Sequence, residues 1–213
     1  MTTAARARAP RRDAASNREA LLEAARTILN RDPEASLDTI AVTAGLTRRA
    51  VYGHFPSRNT LLAELADRGA ARVAAAVDSA RAEDPVLDIA LLGRLVWDEV
   101  EHVRAMTRVV VHGPLRERIG PVLGPIHERL VTDAEHAARL GSGRDDLPAE
   151  LVARLIEGAA FTVLDESARA DLSRTEGRRL VILAGLGALG LSWREAHALL
   201  EANRTLLDAE AHP

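Results

Sequence analysis

Cysteine is absent from the 213 residues, and so is lysine: all 28 basic residues are arginine. The first absence excludes disulfides, thiol nucleophiles and cysteine-ligated zinc, and it suits a reducing compartment. The second leaves only forked guanidinium donors, which match phosphates and guanine edges in pairs. Aromatic residues number five, too few for a cage around a flat cationic molecule. The longest apolar run, Leu180 to Leu191, carries three glycines and falls short of the ~20 residues that span a bilayer. No phosphate-cradling glycine loop, no nucleophile elbow, no internal repeat and no alternating strand pattern occurs. Arginines near the N-terminus are followed by no apolar core, so no secretory signal is read there. That Arg- and Ala-rich, acid-poor start shares its composition with organelle transit peptides; the expected location is the cytoplasm.

Charge is unevenly placed. The net charge is −3, yet residues 1–70 hold 11 arginines against 8 acids and residues 71–213 hold 17 against 23. From Thr39 to Ala63 there are three arginines and no acid. A small basic patch on an acidic body suits local contact with phosphates rather than general coating of nucleic acid.

That patch coincides with a helix, a glycine and a second helix. Ser36 is placed to cap the first helix, and Asp38 suits its positive end. Ile40, Ala41 and Ala44 share one inward face. Gly45 stands where the chain must reverse. Leu46 plugs the angle, Thr47 caps the second helix, and Val51 and Phe55 point inward. Arg48, Arg49, Tyr52 and His54 are left outward. This is the pattern of a helix-turn-helix, whose second helix enters the DNA major groove. Arg48 and Arg49 lie at the end that reaches base edges, where an arginine fork on guanine is worth about 1–3 kcal/mol of discrimination.

The segment resembles the TetR family of transcriptional regulators over roughly residues 17 to 65. The matching residues are Ile40, Ala41, Ala44, Gly45, Leu46, Thr47, Val51, Tyr52, His54, Phe55, Ser57 and Leu61. Arg49 replaces the family's glycine or small residue, and Arg58 replaces its usual lysine. The resemblance implies that Thr47, Tyr52, His54 and Arg58 bond phosphates and fix register. It also implies a helical sensing body, a homodimer, a pseudo-palindromic operator and a small-molecule effector, with no cofactor and no membrane.

The whole chain is therefore expected to be all-α: a flexible basic arm at 1–15, a three-helix DNA-binding unit at 16–60 and a helical effector-binding and dimerisation body at 61–213. The arm's arginines could reach phosphates or the minor groove, or simply be solvated. The first helix is read from Asn17 to about Asn30, ended by Asp32-Pro33, and the fourth from Ser57 to about Arg81. Leu87 to Val111 is apolar almost all round, so it should be buried on most sides. Pro114, Pro121 and Pro125 are expected to divide a short helix from a longer one reaching Leu140. Ser173 with Glu176, and Ser192 with Glu195, read as capping boxes.

Within the body, Trp97, Asp98, His102, Met106 and Phe161 are the expected pocket residues, each with the plainer alternative of a core or exposed role. An aliphatic or acyl-type occupant is preferred. Gly158, Ala159, Leu183, Leu186, Gly187 and Gly190 are expected at a dimer interface, since small residues let helices approach closely. Asp98 with His102, and Asp133 with His136, have helical spacing, but no third ligand completes a metal site. The reading is a dimeric repressor released from DNA by an effector. The rival readings are a helical scaffold with a non-functional motif and a metal-dependent helical enzyme.

Overall fold

Every regular element among the described residues is helical, and the order is α1 Arg8–Leu29, α2 Leu37–Thr43, α3 Arg48–His54, α4 Arg58–Asp78 and α5 Pro85–Val100. A 3-10 turn, Glu101–Val103, follows; then come α6 Arg116–Leu140, α7 Ala149–Arg169, α8 Arg174–Leu189, α9 Trp193–Ala202 and α10 Arg204–Leu207. The computed structural model describes residues 8–207 except 105, 106, 108, 109, 111, 112 and 171, and no side chains of residues 8–14, 102, 168 and 206. Met106, the side chain of His102 and residues 1–7 of the expected arm thus lie outside the described residues.

Local chemistry explains most boundaries. Ser57 and Thr60 close a capping box at the start of α4, and Ser173–Glu176 and Ser192–Glu195 do so for α8 and α9. Asp84 accepts from the Leu87 N–H ahead of Pro85, opening α5. Gly141 and Gly190, both at positive φ, end α6 and α8.

Three expectations are corrected. First, α1 begins at Arg8 rather than Asn17, so residues 8–15 of the expected arm are helix. Pro10 stands in the first turn, where its missing N–H has no helical acceptor to lose. Second, Pro121 and Pro125 lie inside one continuous α6 instead of ending a helix. Both face solvent, so the carbonyls they leave unpaired can be hydrated. Third, the long apolar helix gives way at Val100 to the 3-10 turn, which carries Val103 into the core of the N-terminal unit.

Two cores result. Leu21, Ile40, Val51, Phe55 and Leu61 centre the first, all nearly inaccessible to solvent. Burying a side chain such as Phe55 contributes about 1.5–3 kcal/mol. Trp97, Leu91, Ile182, Leu186 and Leu189 centre the second, where α8 packs on α5 and α7. Ala66, Ala70, Val110 and Ile119 form a smaller patch where α4 meets α6.

Buried ion pairs fasten the body. Asp98 accepts from Arg178 Nε at 3.0 Å and from Arg94 Nη1 at 3.1 Å. Asp88, wholly buried, accepts two hydrogen bonds of 2.7 Å from Arg129 and one of 2.6 Å from the Ala82 N–H. The same Arg129 donates to the Val77 and Ala80 carbonyls at the end of α4. One cation thus satisfies a helix C-terminus and a buried carboxylate together.

Candidate nucleic-acid interface

The two-helix motif is built by its own side chains. Ser36 Oγ accepts from the Thr39 N–H at 3.1 Å, and Thr47 Oγ1 accepts from the Ala50 N–H at 3.3 Å. Gly45 makes the turn at φ +67°, a conformation that L side chains rarely adopt. Val51 and Phe55 are sunk in the core, which turns the other face of α3 outward. Thr47, Arg48, Arg49 and Tyr52 are exposed there, and His54 is half-buried at the helix end.

The two neighbouring arginines differ in surroundings. Arg48 Nε lies 3.2 Å from Asp38 of α2, and its guanidinium sits 5.5 Å from the centre of the Tyr52 ring. Arg49 meets no acid and no ring among the described residues. Two cations in the first turn oppose the helix macrodipole. Asp38 offsets one of them; Arg49 is left to solvent. Such an unpaired cation on a rigid, capped helix is prepared to meet an anion or a base edge from outside.

Arg58, expected to bond phosphate, is engaged within the protein as well. Its Nε donates to the Ala35 carbonyl at 3.0 Å, and another nitrogen donates to the Pro33 carbonyl. The cation therefore ties the loop before α2 to the start of α4. Sequence reasoning also missed Arg18, which stacks 4.4 Å from the Phe55 ring centre and donates to the His54 carbonyl at 3.1 Å. Its remaining nitrogens pair with Glu64, which Arg68 also holds at 2.9 Å, and Arg68 reaches Glu19 at 2.6 Å. This lattice sets the end of α3 against α1 and α4. Its sequence trace was only an arginine on the polar flank of α1. Val42, 79% exposed on α2, is a second residue not anticipated.

Below the motif lies a cavity of about 370 Å³ enclosed by α4 to α8. Phe161 lines it, as expected. Trp97 and Asp98 do not, and this is a further correction. They face α8 on the opposite side of α5, where Trp97 Nε1 donates to the Arg174 carbonyl at 3.1 Å. The cavity side of α5 carries Ile89, Leu92, Val96 and Val100 instead. The polar liners are Arg72, Glu99, Thr107, Arg116, His127 and Glu157. His127 is held between Glu157 at 2.9 Å and Glu150 at 3.1 Å. Burial alone would lower its pKa, but hydrogen bonds and charge from both glutamates outweigh that and raise it. Leu65 and Val103 belong both to the cavity wall and to the core of the N-terminal unit.

On the far side, α7 and α8 present an outward apolar strip. Leu151, Leu155 and Leu180 are 37–40% exposed, and Gly158 and Gly187 lie open with nothing near their α-carbons' outer face. Ala159 and Leu183 are half-buried beside them. Leu186 and Gly190 do not belong to this strip. Leu186 is wholly buried inside the protomer, and Gly190 ends α8 at φ +111° against Arg144.

No group of three or more metal-ligating side chains gathers among the described residues. Nor is any helix among them long and apolar enough to cross a membrane.

Comparison with known proteins agrees with this geometry. Residues 17–65 match the family model for bacterial regulatory proteins of the tetR family. No curated protein matches. Among solved structures, the fatty acid degradation regulator FadR from Bacillus halodurans superposes with a TM-score of 0.67 at 19% identity, over 83% of this chain and 97% of that one. SmeT, the repressor of the Stenotrophomonas maltophilia multidrug efflux pump SmeDEF, gives 0.60 at 21% identity, over 80% and 89%. RolR, solved with resorcinol, gives 0.54 at 20% identity, over 88% and 94%. These likenesses establish the fold, and the matched motif carries the DNA-binding role. Through residues 17–65 the chain carries the DNA-binding domain of the tetR family of bacterial regulatory proteins.

Proposed function

We propose that the protein is a cytoplasmic dimeric repressor, which occupies a pseudo-palindromic operator until a small molecule enters the cavity. The observation that carries this reading is Arg49, exposed and without an acid partner among the described residues, on a helix whose start and inner face are both fixed. Arg49 reads a base edge in the major groove. Arg48, oriented by Asp38 and Tyr52, stands beside it, and Thr47, Tyr52 and His54 bond phosphates.

Dimerisation follows from operator geometry. Two recognition helices must stand about 34 Å apart to enter successive major grooves. The strip of Leu155, Gly158, Ala159, Leu183 and Gly187 is the self-complementary surface, because small residues let two copies of α7 and α8 approach closely. Leu65 and Val103 support release by an effector: a molecule pressing on the cavity wall presses on the core that seats α3. Occupancy lowers operator affinity only to the extent that the effector prefers one spacing of the two units. RolR, with resorcinol bound, shows that a relative of this fold accommodates a small molecule.

Footprinting on a selected operator tests the proposal. Two protected patches one helical turn apart, with binding that falls steeply with salt, are expected. A single patch with half the mass on DNA would remove the dimer.

A further inference from the structure

We propose that the cavity accepts a straight-chain aliphatic monoanion, an alkanoate-type carboxylate, seated tail inward with its head group at Arg116. The inference rests on the reading of this cavity as the effector site. The liners closed to solvent, among them Ile89, Leu92, Leu130, Ile156 and Val181, make a purely aliphatic floor. Phe161 is the one aromatic liner among the described residues, so the wall offers a planar ring little to stack on. Gly93 and Gly185 lie along the floor, where the facing side chains of Ile182 and Ile156 approach within 3.6 and 3.5 Å of a built β-carbon. A wall with almost no aromatic face suits an aliphatic chain better than a fused ring.

The polar groups decide the charge of the head. Arg72, Arg116 and Gly120 are the liners exposed to solvent, so the cavity opens among them. Arg72 is balanced by Glu99, whose carboxylate lies 3.5 Å away. Arg116 meets no acid among the described residues, which leaves the mouth with one net positive charge. At the other polar point His127 is held by two glutamates, of which Glu150 also pairs with Arg154 at 3.1 Å, so that point offers no unbalanced positive charge. An anion is therefore drawn to the mouth, where the unbalanced charge lies. A cation is repelled there, and a neutral alcohol forfeits the ion pair with Arg116. A sugar or other polyol would leave hydroxyls without partners along the aliphatic wall. A volume of about 370 Å³ lies low in the range of small-molecule sites, which suits a chain of medium length.

Isothermal titration of the full chain with octanoate, decanoate and dodecanoate, and with dodecylammonium and dodecanol, tests this. Affinity for alkanoates is expected to rise about fourfold per methylene until the floor is filled. Dodecanoate should exceed both uncharged and cationic counterparts by at least about tenfold, and Arg116→Glu should erase that advantage. Equal binding of dodecylammonium or dodecanol, an unaltered preference in Arg116→Glu, or no alkanoate binding would each overturn the proposal. Operator binding is measured on the same ligand-free preparation. Its loss would sink the regulator reading alone, whereas intact operator binding without alkanoate preference would sink only the ligand class.

Discussion

The indole of Trp97 lies so tightly across Gly177 that a β-carbon built on that glycine would stand 1.9 Å from Cζ2 and 2.4 Å from Cη2. Neither atom can retreat, since Trp97 is buried and its Nε1 is held by the Arg174 carbonyl. Residue 177 is glycine because α5 and α8 touch through that ring. Gly177→Ala should cost at least about 1–3 kcal/mol by overpacking. Calorimetry should then find the melting temperature lowered by about 2–4 °C per kcal/mol. An unchanged melting temperature would contradict the packing described.

Asp133 faces Asp88 in a nearly closed site, and burial, with the hydrogen bond and charge of Asp88, raises its pKa from 3.8 to about 7. Arg129 and the Ala82 N–H claim the ionised Asp88, whose own pKa is lowered despite its burial. For Asp133 the folded state binds the proton more tightly than the unfolded chain. Its contribution to stability is complete below about pH 4 and is lost as pH rises through about 7. Between pH 6 and pH 8 that loss amounts to about 1.4 kcal/mol. Urea midpoints should fall across this interval in the parent protein, and Asp133→Asn should flatten the fall. Asp88 acts in the opposite sense, destabilising as pH drops through its lowered pKa.

Arg18 braces the end of α3, with its nitrogens engaged by Glu64 and the His54 carbonyl. Its partner Glu64 is only partly exposed, so removing the cation leaves a carboxylate short of its hydrogen bonds. Arg18→Ala should weaken binding to every DNA sequence by a similar factor and leave base preference as it was. A change in preferred sequence would mean that Arg18 itself reaches the duplex.

Leu155 sits about two-fifths exposed on α7 beside Gly158. Leu155→Glu should leave the protomer folded, because the side chain already meets water in the single chain. In a dimer it would bury an unpaired charge, so sedimentation should show monomer at micromolar concentration. A dimer that persists would place the interface elsewhere.

Much of the fold was legible because the signals are local. Ser36, Gly45, Thr47, Ser57 and the two Ser-x-x-Glu boxes each act within one turn, and their chemistry names the boundary. The cavity wall was placed on the wrong side of α5 for a physical reason. A helix apolar all round has no polar face to give its orientation, so nothing showed that Trp97 and Asp98 turn to α8 while Val96 and Val100 turn to the cavity. Leu186 misled in the same way within α8. Arg18, Arg58 and Arg129 were illegible as braces, because their acceptors are backbone carbonyls and distant acids that only the folded chain brings near.

The most direct measurement is a selection of duplexes from a randomised pool, run in parallel with the parent protein and Arg49→Ala. The account predicts an inverted repeat for the parent. It also predicts one base pair per half-site whose preference relaxes in Arg49→Ala by about 1–3 kcal/mol, the other positions being kept. Identical motifs from the two proteins, or no motif from either at low salt, would contradict the claim that the outer face of α3 reads DNA.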